Sequence, residues 1–119
     1  MVWGAKIGGN KWVIDVDKVF SDYLGGSLSE CPQNYVAGSP MAFVDSISTP
    51  TLMIHGQIDV LVAFEHSTRL QKKLNQYGIK NYLLDLPWAT HGCDFNINGP
   101  GGQVTTFAIE RFIKSVVSN

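Results

Sequence analysis

The chain has 119 residues, of which 45% are apolar and 16% charged, and its formal net charge is −1. This length and composition suit one domain or part of one, and they exclude a chain that is disordered by composition. The near-neutral charge gives no electrostatic reason to expect nucleic acid or an anionic membrane surface as a partner. No apolar run approaches the ~20 residues that a membrane-spanning helix needs.

Cysteine content and the N-terminal residues add little about the compartment. Cys31 and Cys93 are too few for a disulfide framework and do not have the spacing of a zinc site, so two free thiols are favoured over one bridge. The first residues lack the basic-then-apolar order of a signal peptide. The sequence therefore leaves localisation open, and it indicates neither a cofactor nor a metal.

Residues 1–48 are interpreted as a connecting segment that contains one amphipathic helix. Glycines interrupt residues 1–15, where only 11–14 could form a short strand. A helix is then predicted, because apolar side chains recur at helical spacing. It would start at Asp15 or Asp17 and end at Gly25–Gly26. The apolar positions of this helix are Val16, Val19, Phe20, Tyr23 and Leu24.

Two shorter features complete this segment. Ser27 and Glu30 have the spacing of a capping box, which predicts a short helical turn. The stretch 32–40 contains two prolines and a glycine near its end, and it is predicted to be a loop.

Residues 49–119 are interpreted as a βαβα segment. The apolar run 51–54 follows Pro50 and is too short for a helix, so it predicts a buried strand that stops at His55–Gly56. The remaining predicted elements are a helix over 62–77 ended by Gly78, a strand over 81–86, a loop over 87–102 and a helix over 103–117.

This order predicts an α/β fold with a short parallel sheet of two or three strands flanked by helices. Parallel sheets are normally buried on both faces and contain more strands than that. The sheet is therefore expected to be incomplete on its own, and we expect it to pair with another part of a larger sheet or to self-associate through its edge.

Asp59 and His91 are the candidate functional pair. Each follows a predicted strand, and the two residues are separated by one helix and one strand. Adjacent strands lie ~4.8 Å apart, so their carboxyl-end loops can bring a carboxylate against an imidazole. The alternative is a solvated aspartate and an unrelated histidine.

At these residues the sequence resembles the α/β-hydrolases. His55-Gly-Gln-Ile-Asp59 followed by Val62 resembles the strand and acid segment of that family, and Trp88-Ala-Thr-His91-Gly92 resembles its approach to the catalytic histidine. The stretch 25–40 is similar to the segment before the acid strand in carboxylesterases of the lipase/acetyl-esterase type, and prolyl-oligopeptidase-like enzymes are related. The resemblance implies that Asp59 is the acid of a Ser-Asp-His triad and that His91 is its general base.

Two expected parts of the family pattern are missing from the sequence: the nucleophile and the glycine-rich oxyanion segment that should precede it. The nucleophile should be a serine in G-x-S-x-G, placed before the acid and the base, and no such motif occurs here. The chain is therefore expected to be the C-terminal portion of a serine-type hydrolase of carboxylic esters, inactive alone, with peptides or amides as alternative substrates. A non-catalytic βαβ binding or assembly module, or one subunit of a split hydrolase, are the other interpretations.

The other polar residues near the pair have less specific interpretations. His55 is expected to be a structural, hydrogen-bonded histidine and His66 to face solvent. A metal cluster of His55, Asp59, His91 and Asp94 is disfavoured because no tight ligand spacing occurs. Cys93 is expected to be a small packing residue and not an activated thiolate. The glycines at 99–102 fit a bend before the last helix as well as an anion site.

Overall fold

The structure is a computed structural model that describes residues 15–118. The chain divides into two compact units, Met1–Phe43 and Val44–Asn119. The possible strand at 11–14 lies outside the described residues. Among the helices that the structure describes, none combines the length and apolar character needed to span a membrane.

The first unit is built around helix α1, Val16–Leu24. The Asp15 carboxylate accepts a hydrogen bond from the Lys18 N–H at 3.0 Å and so caps the helix, while Gly25 ends it in the left-handed region at φ 85°. Both ends of α1 are as predicted. A turn follows, in which the Glu30 carboxylate accepts hydrogen bonds from the Ser27 N–H and hydroxyl.

A second helix replaces the loop predicted for residues 32–40. Helix α2 spans Pro32–Ala37 and is followed by a short 3₁₀ turn at Pro40–Ala42. The loop prediction was wrong because Pro32 occupies the first turn of the helix, where a missing N–H costs nothing.

The second unit carries a two-stranded parallel sheet. After a 3₁₀ turn at Val44–Ser46, strand β1 spans Thr51–Gly56 and strand β2 spans Asn81–Leu86, and they pair in register from Thr51↔Asn81 to Gly56↔Leu86. The parallel pairing confirms the predicted α/β order.

Two helices accompany this sheet, and both begin at different residues than predicted. Helix α3 spans Glu65–Gln76 and starts three residues late, because the residues before it form the Asp59 turn described below. Helix α4 spans Pro100–Val117 and starts three residues early, again with a proline in the first helical turn.

The core of the second unit is small. Leu74 of α3 is fully buried where that helix packs on β2. Burial of a leucine side chain contributes about 1.5–3 kcal/mol to folding. Val44, Leu86 and Ala89 complete the buried apolar side chains that the structure describes in this unit. Leu86 and Ala89 lie at the carboxyl end of β2. The core therefore supports the end of the sheet that carries Asp59 and His91.

Candidate active site

The loops after β1 and β2 are joined by backbone hydrogen bonds. The Gln57 N–H donates to the Leu86 carbonyl at 3.0 Å, and the Ile58 N–H donates to the Ala89 carbonyl at 3.3 Å. Gly56 is buried, and a β-carbon at this position would overlap the Ala89 carbonyl. The two loops therefore approach each other more closely than any residue other than glycine would allow.

Asp59 lies in the first of these loops with both carboxylate oxygens occupied. Its Oδ1 accepts hydrogen bonds from the backbone N–H groups of Leu61 and Val62, each at 2.9 Å. Its Oδ2 lies 2.8 Å from Nδ1 of His91. Only 6% of the Asp59 side chain is exposed. The backbone therefore fixes one oxygen and directs the other at the imidazole.

This environment favours the ionised form of Asp59. Burial raises the pKa of the carboxyl group, but the hydrogen bonds from the Val62 N–H, from His91 and from the Leu61 N–H lower it by more. The pKa of Asp59 therefore lies below its ordinary value of 3.8. An ionised carboxylate is an acceptor only, so Nδ1 of His91 must carry the hydrogen of this bond.

His91 combines this fixed nitrogen with access to solvent. Its side chain is 48% exposed. With the hydrogen held on Nδ1, a neutral imidazole presents Nε2 as a free base. Within residues 15–118, Nε2 has no hydrogen-bond partner. The structure thus brings the two sequence-predicted residues into contact, while their catalytic role stays a prediction.

His55 is held by hydrogen bonds at both ring nitrogens, as expected for a structural histidine. Nδ1 lies 2.7 Å from the Ser67 hydroxyl, and Nε2 lies 2.9 Å from the Val62 carbonyl oxygen. Nε2 is also 3.5 Å from Oδ2 of Asp59. The ring packs edge-on against Phe64, with centroids 5.5 Å apart.

The remaining candidates take no part in this contact. His66 is exposed on α3, as expected, and Asp94 is exposed in the loop after β2. In the part of the chain that the structure describes, no group of three or more potential ligand side chains is placed to hold a metal ion.

The segment around Cys93 packs against the start of α4. Cys93 is a free, partly buried thiol, and its carbonyl lies so close to Gly101 that a β-carbon there would overlap it. A β-carbon at Gly102 would likewise overlap the Asn96 carbonyl. The glycines at the start of α4 therefore permit close packing of the histidine loop on that helix.

Two contacts of the site are not apparent from the sequence. The Gln57 amide donates to Asp85 Oδ2 at 2.6 Å and ties the first loop to β2. Ser67 contacts His55 from the first turns of α3. The strand register pairs His55 with Asp85 and so brings Gln57 near this carboxylate, and this register could be inferred only by aligning the two apolar runs.

The BD-FAE family matches residues 6–74 of this chain, more than half of its length. Two curated proteins are also similar. The chain is 34% identical over 62 residues to the uncharacterized peptidase YtmA of Bacillus subtilis (strain 168), a match that covers 52% of this chain and 24% of that protein. It is 37% identical over 84 residues to dipeptidyl-peptidase 4 of Giardia intestinalis, covering 66% of this chain and 11% of that protein.

One solved structure shows the fold. An acylaminoacyl peptidase in complex with Z-Gly-Gly-Phe-chloromethyl ketone superposes with a TM-score of 0.58 at 19% identity, covering 70% of this chain and 13% of that one. The chain thus spans a quarter or less of the length of these relatives. It belongs to the BD-FAE family of hydrolases and has the fold of part of an α/β-hydrolase.

Proposed function

We propose that this chain supplies the acid and the general base of a serine-type hydrolase. The observation that carries the proposal is the 2.8 Å contact between Oδ2 of Asp59 and Nδ1 of His91, in which the other carboxylate oxygen is tied to two backbone N–H groups. A fixed carboxylate holds the imidazole in one tautomer and stabilises the imidazolium that forms when the base takes a proton.

In this role His91 acts through Nε2. Nε2 removes the proton of a serine hydroxyl as the serine oxygen forms a bond to the acyl carbon, which gives a tetrahedral intermediate. The intermediate collapses when the bond to the leaving group breaks and the imidazolium returns its proton to that group. Water then repeats the sequence on the acyl-enzyme and releases the carboxylic acid.

The serine and the oxyanion hole lie outside these 119 residues in this proposal, because the sequence contains no G-x-S-x-G. Either the same longer polypeptide or a separate subunit supplies them. The first source would be supported by a strand followed by G-x-S-x-G in the coding sequence upstream of Met1. The motif should lie within ~150 residues, a rough allowance for the rest of one domain. The same motif in a co-purifying chain supports the second.

Carboxylic esters are the proposed substrates, and peptides are the second candidate. Both present an acyl carbon to the same nucleophile. Esters react more readily, because an alcohol is a better leaving group than an amine. The names of the relatives favour peptides, since three of the similar proteins are described as peptidases. Parallel assays with an ester and with a peptide amide of the same acyl group separate the two candidates.

The isolated chain provides the first test. We expect the pure 119-residue chain and its His91→Ala variant both to hydrolyse p-nitrophenyl acetate no faster than free imidazole at the same concentration, because the serine of G-x-S-x-G is absent. The matched control is His66→Ala, which removes an exposed histidine from the same chain. Turnover that His91→Ala abolishes and His66→Ala retains would mean that a nucleophile does lie within these residues.

A further inference from the structure

We infer that His55 is a positioning residue that holds the Asp59 turn in the geometry needed to orient His91. The inference rests on the Asp59–His91 pair of the proposed function. Among the described residues His55 makes no hydrogen bond to His91, but its Nε2 lies 3.5 Å from Oδ2 of Asp59, so its effect reaches His91 through Asp59 and the turn that holds it.

The direction of each hydrogen bond at His55 follows from its partners. The Val62 carbonyl oxygen, 2.9 Å from Nε2, can only accept, so Nε2 carries the hydrogen. Nδ1 of the neutral ring is then an acceptor, and the Ser67 hydroxyl at 2.7 Å must donate to it. His55 is therefore held in the Nε2–H tautomer by partners from the turn and from α3.

The Val62 residue connects this bond to the acid. Its carbonyl accepts from His55, and its N–H donates to Oδ1 of Asp59 at 2.9 Å. Hydrogen bonds and the covalent backbone of Val62 therefore connect Ser67 and His55 to Asp59 and His91.

The two side chains at the centre of these contacts are buried. The side chains of His55 and Asp59 are only 10% and 6% exposed and their Nε2 and Oδ2 atoms lie 3.5 Å apart, whereas Val62 is itself 38% exposed. Removing the imidazole would leave a gap beside the buried Asp59 carboxylate and would release the Val62 carbonyl to turn toward solvent, which favours rearrangement of the short turn. Without His55 we therefore expect Val62 to move and Oδ2 of Asp59 to lose its alignment with Nδ1 of His91.

The experiment follows the imidazole nitrogens of the full chain by ¹⁵N-resolved NMR, without substrate. In the wild-type protein we expect His55 as the Nε2–H tautomer and His91 as the Nδ1–H tautomer. His55→Leu should lose the hydrogen-bonded Nδ1–H resonance of His91 while circular dichroism shows the fold retained. His55→Gln, whose amide can still donate to Val62, should keep that resonance, and His66→Leu on the exposed face of α3 is the matched control.

Three results would overturn the inference: an Nδ1–H tautomer at His55, an unchanged His91 resonance in folded His55→Leu, or its loss in folded His55→Gln. If His55→Leu fails to fold, the wild-type tautomer and the His91 resonance of His55→Gln still test the inference. Because this readout involves no substrate, it is independent of the hydrolase assays. If the chain shows the expected resonances but no active enzyme contains it, the proposed function is rejected and the inference about His55 is not.

Discussion

At the scale of single residues, the two oxygens of Asp59 have different roles. Oδ1 is used to hold the turn through the Leu61 and Val62 N–H groups, and Oδ2 is used to orient His91. One carboxylate therefore links local backbone structure to the geometry of the proposed base.

The substitution Asp59→Asn should reverse the tautomer of His91. The amide oxygen can replace Oδ1 as acceptor of the two backbone N–H groups, which leaves the NH₂ group facing Nδ1 of His91. Nδ1 must then accept, so the hydrogen moves to Nε2 and the free base is lost. NMR of the imidazole nitrogens measures this change. Asp94→Asn, at an exposed position in the loop after β2, should leave the Nδ1–H tautomer in place.

Asp59 should also set part of the acid stability of the fold. Its pKa in the folded chain lies below the ordinary value of 3.8, so between these two values the unfolded chain binds more protons. The stabilisation is therefore fully present above about pH 5, begins to fall as the unfolded chain takes up its proton, and is lost once the pH passes below the lower, folded value. Urea unfolding from pH 2.5 to pH 7 should show a shallower acid loss for Asp59→Asn than for wild type. Parallel pH profiles would contradict this assignment.

The sequence predicted the main pair of the site but not its supporting contacts. Asp59 and His91 each follow an apolar run, so chain order alone places both at the same edge of a parallel sheet. The Ser67–His55 bond depends on the rotation of α3, and the Gln57–Asp85 bond depends on strand register. Neither the rotation of α3 nor the strand register can be deduced from local composition.

At the scale of elements, the site depends on how closely the loops after β1 and β2 approach each other. The backbone hydrogen bonds of Gln57 and Ile58 connect these loops, and Gly56 permits the contact with Ala89. The ends of the two strands thus form one hydrogen-bonded support for both candidate residues.

The substitution Gly56→Ala should therefore destabilise the second unit. The added methyl group would overlap the Ala89 carbonyl, and relieving such overpacking typically costs about 1–3 kcal/mol. Denaturant unfolding followed by circular dichroism measures the loss, and the His91 Nδ1–H resonance should weaken with it. Gly38→Ala is the control, because its nearest contact would be an ordinary 3.4 Å, and it should change stability by at most ~0.5 kcal/mol. Equal stability of the two variants would show that the loops can move apart freely.

Element types were easier to predict than element boundaries. The apolar runs at β1 and β2 and the stripe on α1 gave the correct element types because each pattern is local. Both prolines that open helices were misinterpreted as parts of loops, since proline is common in both settings. The start of α3 was missed because a side chain, Asp59, folds the preceding residues into a turn.

At the scale of the whole molecule, the described residues expose much apolar surface. In the second unit the exposed apolar side chains include Ile58, Val60, Trp88, Phe95, Ile97, Phe107, Ile109, Ile113 and Val117. The sheet has two strands, so in the described chain each strand has a neighbour on one side only. Open edges and apolar faces of this kind favour association with further polypeptide.

The isolated chain should consequently self-associate. We expect sedimentation velocity to show a mass that increases with protein concentration, because the exposed edges and apolar side chains can pair between copies. Salt at 0.5 M should not reverse the association, since a chain of net charge −1 has little electrostatic attraction to screen. A monodisperse monomer at every concentration would favour a self-sufficient module over an incomplete sheet.

The role of His91 as general base can be measured through the kcat of an assembled enzyme, in which this chain is joined by the polypeptide that carries G-x-S-x-G. Ester and peptide hydrolysis would be compared for wild type, His91→Ala and the control His66→Ala. We expect His91→Ala to lower kcat by about 10⁴-fold or more while His66→Ala leaves it unchanged. A His91→Ala enzyme with kcat close to that of wild type would contradict the assignment of His91 as the general base.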